Sequence, residues 1–184
     1  MKSGLRKAVS FAFLLLVGTL AGLAGWQFGP WVLARFQPAP LARTLPDLVL
    51  PDLQGQAQSL QQWRGKILVI NLWAAWCPPC RMEMPGFSRL QEKFASAGVQ
   101  FVGIALDDRE NVVDFVRKNA IRYPQLLGDR PLQDAFADLG NRSQSLPFTA
   151  IFTPDGQLRH IHRGYWREDE LDGILGELAG MKAK

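Results

Sequence analysis

Cys77 and Cys80 are the only cysteines in a chain of 184 residues, and they stand together in Trp76-Cys77-Pro78-Pro79-Cys80. A thiol attacks as its thiolate, and the positive end of a helix dipole favours that form. Two thiols at this spacing can close a disulfide on each other or open one on a partner. The residues therefore point to thiol–disulfide exchange. Pro78 and Pro79 suit the first turn of a helix, where their missing N–H groups have no intrahelical partner to lose. That places Cys77 at or just before the helix N-cap, facing the dipole and solvent, and Cys80 one turn in and more buried. Cys77 is then the attacking nucleophile and Cys80 the resolving thiol of a redox-active Cys77–Cys80 disulfide. The prolines also remove N–H donors that could solvate the thiolate, which predicts a reducing couple nearer about −270 mV than −120 mV.

Three other readings use the same residues. A purely structural disulfide gains little from closing so short a loop. A metal site needs more ligands than two cysteines, and only His160 and His162, two residues apart on one strand face, could add them. A peroxiredoxin-type peroxidase pattern carries a threonine three residues before its reactive cysteine, where this chain has Ala74. No metal and no other cofactor is expected.

The cysteines need a strand to hold them and a helix to activate them. Ile67 to Trp73 is almost continuously apolar, as a central strand covered on both faces must be. The helix after Cys77 runs to about Ala97 and ends at Gly98; Val99 to Ala105 forms a second buried strand. Pro85 should kink that helix by removing an interior hydrogen bond. Leu48–Leu50 and Gln58–Leu60 flank a turn and read as a hairpin. Arg109–Asn119 and Leu132–Leu139 have helical periodicity. Phe148–Phe152 and Leu158–His162 make an antiparallel pair around Pro154-Asp155-Gly156, and Arg167–Ala179 closes as a helix. The order implies an α/β fold with a central mixed sheet flanked by helices.

The N-terminus bears on compartment. Lys2, Arg6 and Lys7 precede a stretch from Ala8 to Ala34 without a charged residue, with Trp26 and Trp31 near its far end. About 20 apolar residues span a bilayer, and the basic start keeps the short N-terminus in the cytoplasm. Residues 1–34 read as a single-pass signal anchor, 35–45 as a proline-containing linker, and 46–184 as the folded domain. A cleaved signal peptide with Gly22-Leu23-Ala24 as its site is the competing reading. Setting aside the three anchor cations leaves 18 basic against 17 acidic residues, from 21 and 17 in the whole chain. No basic stripe suggests nucleic acid.

The segment from Asn71 to Pro85, with Leu146-Pro147-Phe148-Thr149 and the Thr153-Pro154-Asp155-Gly156 turn, resembles membrane-anchored TlpA/ResA-like thioredoxins over about residues 46–180. The resemblance implies a thioredoxin-like fold and a cis Leu146–Pro147 bond beside the cysteines, where backbone next to the proline pairs with an extended substrate segment. An ordinary trans proline is the alternative. Trp76, Pro78, Pro79, Leu146 and Pro147 become substrate-binding candidates, with Trp73 in the core. Glu83 matches the family glutamate one turn after Cys80, either exchanging a proton with that thiol or lying exposed near the dipole. Asn71 stands where ordinary thioredoxins have a titrating aspartate, which shifts that duty to Glu83 or water.

The implied protein is an extracytoplasmic, monomeric protein-disulfide reductase on a bacterial inner membrane. Its implied partners are a membrane electron donor and a disulfide-containing substrate: apocytochrome c first, copper-site assembly proteins second. An oxidase or isomerase, or a metal-binding chaperone using Cys77 and Cys80, are the alternatives.

Overall fold

The computed structural model of the protein describes residues 44–180. The expected anchor and all but the last two linker residues lie outside that range. Thr44 and Leu45, at the end of the expected linker, are inside it and paired: exposed Thr44 bridges Gln157, and the N–H of buried Leu45 donates to the Gly156 carbonyl at 2.8 Å. No helix among the described residues is long and apolar enough to cross a membrane.

A short hairpin, β1 (Val49–Pro51) and β2 (Ala57–Ser59), leads to β3 (Ile67–Trp73), whose seven residues are all buried. Helix α1 (Pro78–Phe94) follows, then β4 (Val99–Ala105), α2 (Arg109–Lys118), β5 (Gln125–Leu127), α3 (Arg130–Asp138), β6 (Phe148–Phe152), β7 (Leu158–Arg163) and α4 (Glu168–Leu178). The five-stranded sheet has the order β5-β4-β3-β6-β7; β3, β4 and β5 are parallel, and β6 and β7 run antiparallel to their neighbours.

Alternation along β3 divides the core in two, because successive strand side chains point to opposite faces. Ile67, Val69 and Trp73 pack with Phe87 and Leu90 of α1, Val112 and Phe115 of α2, and Leu171 and Leu175 of α4. Leu68, Ile70 and Leu72 pack on the other face with Leu50, Leu60, Leu132 and Phe136. Asn71 falls on the first face among apolar residues, so its polar atoms must be met there.

The structure corrects several boundaries. Leu60 leaves the hairpin and starts a 3-10 turn (Leu60–Trp63), with the Ser59 hydroxyl accepting from the Gln61 N–H at 3.2 Å. Helix α3 begins at Arg130, ahead of the expected Leu132, because Asp129 caps it by accepting from the Leu132 N–H at 3.0 Å. Helix α1 gives way to a 3-10 turn over Ala95–Ala97, and Gly98 (φ 80°) ends it in the left-handed region, where glycine is unstrained. Helical assignment continues through Pro85. Strand β5 was not expected, because three residues carry too little alternation to register.

β5 nevertheless matters for the site. Gln125 accepts from Trp73 Nε1 at 2.9 Å, lying across β4 at Gly103. A Cβ at Gly103 would stand 2.1 Å from Gln125 Oε1. Glycine is therefore the residue that lets an edge strand anchor the strand that leads to the cysteines.

Candidate active site

Cys77 is the N-cap of α1, in extended conformation (φ −90°, ψ 105°), and Pro78 and Pro79 open the helix. Two of the first three helical positions thus lack an N–H. The third belongs to Cys80, and it donates to Cys77 Sγ at 3.4 Å. Cys77 and Cys80 form a disulfide, so this is the oxidised site. Cys77 is only 3% exposed and Cys80 fully buried. The expectation that Cys77 faces solvent needs correction for the oxidised form: Leu146 packs against the cluster that contains both cysteines. The order of burial is nonetheless the expected one.

The loop carrying Trp76 and Cys77 is braced from the end of β4. Asp107 Oδ2 accepts from the Ala75 N–H at 2.8 Å, while Oδ1 accepts from the Asp108 N–H and the Asn111 amide. Burial opposes its charge, but these donors and the Trp76 N–H outweigh it and hold the Asp107 carboxyl below the usual range. Trp76 is left 68% exposed, as a rim aromatic, and Met82 on α1 is 67% exposed. Beside them Trp76, Arg81, Asp107, Asp114, Phe115 and Lys118 line an open groove of about 370 Å³. The Arg81 guanidinium sits 5.8 Å from the Phe115 ring centre.

In the loop that enters β6, Leu146–Pro147 is cis, as the family resemblance implied. Pro147 is buried and Leu146 half-buried. Buried Asn141 braces the approach: its Oδ1 accepts from the Ser145 N–H at 3.0 Å and its Nδ2 donates to the Ser145 carbonyl at 3.2 Å. The Pro147 carbonyl accepts from the Gly164 N–H at 2.8 Å, tying the loop to the end of β7.

Glu83 is not the exposed first-turn residue that one reading expects. It is 3% exposed, one turn after Cys80. Its Oε1 accepts from Asn71 Nδ2, and its Oε2 from the Trp166 N–H, both at 2.8 Å. Burial pushes its pKa from 4.5 up to about 8, and the Trp166 and Asn71 donors only partly offset that. A carboxyl raised to about 8 by burial can take up and give up a proton near neutral pH, and it stands one helical turn from Cys80. The exposed-glutamate reading is excluded by its burial. Tyr123 is buried too, and its ionisation is raised further out of range by burial and by the Glu83 charge.

His160 and His162 do share a face of β7, since they pair with Ile151 and Thr149. His162 stacks on Trp166 with ring centres 4.5 Å apart, and its Nε2 contacts the Tyr165 carbonyl. Its contacts are thus those of a packing residue behind the Glu83 donor. Asp107 and Trp166 carried no sequence signal, because each reaches a chain segment that it meets only in the folded protein; Asn141 carried none either, and acts locally on Ser145.

The AhpC/TSA family pattern matches residues 41–161, about two thirds of the chain. The chain belongs to the AhpC/TSA family. The thioredoxin-like protein YneN of Bacillus subtilis (strain 168) is 27% identical over 165 residues, covering 88% of this chain and 94% of that protein. The thiol-disulfide oxidoreductase ResA of Bacillus cereus (strain ZK / E33L) is 24% identical over 166 residues, 90% and 94% of the two chains. A solved thiol:disulfide interchange protein of the thioredoxin family from Chlorobium tepidum TLS superposes with a TM-score of 0.69 at 27% identity, covering 78% of this chain and all of that one. The fold is thioredoxin-like, and this AhpC/TSA member is a ResA/TlpA-like thiol:disulfide oxidoreductase acting on disulfide-containing proteins.

Proposed function

We propose that the protein is a reductant of particular protein disulfides on the outer side of a bacterial cytoplasmic membrane, held there by residues 1–34 as a single-pass anchor. The cap of α1 carries the reductive direction. With Pro78 and Pro79 in place, one backbone N–H of the first three reaches the Cys77 sulfur. A thiolate so sparsely solvated stabilises the dithiol form little, and a weakly stabilised dithiol is a reductant.

The Cys77 thiolate attacks one sulfur of the substrate disulfide, and the other leaves as a thiolate and takes a proton. Cys80 passes its proton to the Glu83 carboxylate and attacks the Cys77 sulfur. The second substrate thiolate leaves, and the Cys77–Cys80 disulfide remains. Regeneration takes two electrons from a membrane dithiol carrier, whose two protons balance those taken up by the substrate thiolates; as Cys80 is expelled, Glu83 returns its proton to it. The resemblance to TlpA/ResA-like proteins makes apocytochrome c, with its paired haem-attachment cysteines, the first substrate class and copper-site assembly proteins the second. Exposed Trp76 and Met82 offer the substrate chain an apolar platform beside the sulfur.

Cys80→Ser in the full-length protein should stall the reaction at the mixed disulfide on Cys77. Non-reducing electrophoresis and mass spectrometry of cells expressing it should recover exported proteins with paired cysteines, apocytochrome c foremost. Recovery of cytosolic proteins alone would contradict the compartment.

A further inference from the structure

Asn71 makes both of its side-chain hydrogen bonds through one atom. Nδ2 donates to Glu83 Oε1 at 2.8 Å and to Thr149 Oγ1 at 3.0 Å. Oδ1 is buried and has no partner. In a fully buried residue an unmet oxygen calls for a reason.

The two partners share a property. A carboxyl accepts when ionised and donates when protonated, and a hydroxyl does either. The amide between them has a donor end and an acceptor end of nearly the same shape. The other donor to Glu83, the Trp166 N–H, engages Oε2. It is satisfied by a carboxylate or by the carbonyl oxygen of the acid, so Oε1 is left to carry the proton. Asn71 and Thr149 are direct register partners on β3 and β6, which keeps the three groups aligned whichever way the amide faces.

We propose that Asn71 is a two-state positioning residue, whose amide turns over as Glu83 takes and returns the proton it exchanges with Cys80. With Glu83 ionised, Nδ2 donates to the carboxylate and to Thr149, as observed. With Glu83 protonated, its Oε1–H and the Thr149 hydroxyl both donate to Asn71 Oδ1. The turn moves no proton itself: one passes from the Cys80 thiol to the Glu83 carboxylate on attack and returns on release. A fixed amide would meet one protonation state only, leaving the acid O–H facing another donor in the other. The titratable groups around this cluster are Cys80 on the same helix, Tyr123, and His162, which pairs with Thr149 and stacks on Trp166. The Tyr123 hydroxyl also has no partner, and it can donate or accept.

The proposal rests on Glu83 as the proton carrier for Cys80. Nuclear Overhauser contacts between the Asn71 side-chain NH₂ and the Thr149 methyl test it in the full-length oxidised protein, labelled with ¹⁵N and ¹³C. The Glu83 carboxyl carbon is followed in the same samples from about pH 6 to about pH 9.5, a range that brackets its titration. The contact should be present at the upper end and lost at the lower, with the midpoint of the carboxyl carbon. In Glu83→Gln it should not change with pH. A contact that persists unchanged while the carboxyl carbon titrates overturns the turning amide and leaves Glu83 as carrier. A carboxyl carbon that does not titrate across this range overturns both.

Discussion

Replacing Glu83 by glutamine is expected to make the oxidised protein more stable and its chemistry slower. The fold raises the Glu83 pKa from 4.5 to about 8 by burial. The native state therefore holds a proton that the unfolded chain releases between those values. Stability attributable to this residue is fully present below about pH 4.5 and falls as pH rises toward 8, because the native state binds more protons than the unfolded one there. Above pH 8 the fold carries a buried charge at a cost on the order of 5 kcal/mol. Glutamine cannot ionise and keeps an oxygen for the Trp166 N–H or the Asn71 amide. Urea denaturation should show the variant gaining a few kcal/mol at about pH 8.5, with the native fall between about pH 5 and pH 8 abolished. Removing the proton carrier should slow resolution by Cys80 roughly 10²-fold, the ordinary scale of general acid–base catalysis. Stopped-flow decay of a mixed disulfide on Cys77 measures that step. A variant that is more stable and equally fast would leave Glu83 a buried residue with no part in the chemistry.

The second large effect is an asymmetry between the cysteines. Cys77→Ser should abolish reduction of a protein disulfide such as that of insulin, to the level of the buffer. Cys80→Ser should instead allow one round of attack and accumulate the adduct. Geometry sets the order. Cys77 caps the helix and receives the Cys80 N–H, whereas Cys80 lies sealed one turn inside, ahead of Glu83. An incoming disulfide should meet first the sulfur of Cys77, the less buried of the two. Adduct formation by Cys77→Ser at the rate of the parent would reverse the assignment.

Much of the frame was legible in the sequence because it is local. The apolar run Ile67–Trp73, the proline pair after Cys77 and the glycine at position 98 each carry their physical reason within a few residues. The family resemblance supplied the cis Leu146–Pro147 bond, which no periodicity encodes. It also brought Glu83 forward without deciding its environment. That decision comes from Asn71, 12 residues earlier, and from the Trp166 backbone, 83 residues later. Asp107 reaches back 32 residues to the active-site loop, and Gln125 reaches Trp73 across 52. Such braces depend on which strands become neighbours. The short strand β5 shows why they escaped: its contribution is one amide laid over a glycine, with no periodic pattern to reveal it.

The reduction potential of the Cys77–Cys80 couple tests the central claim most directly. The cap, stripped of N–H donors by Pro78 and Pro79 and left with a single N–H on the attacking sulfur, should place the couple nearer about −270 mV when equilibrated with a thiol buffer of known ratio. A value near about −120 mV would mean a strongly stabilised thiolate and an oxidant, and would contradict the reading of this site as a reductant.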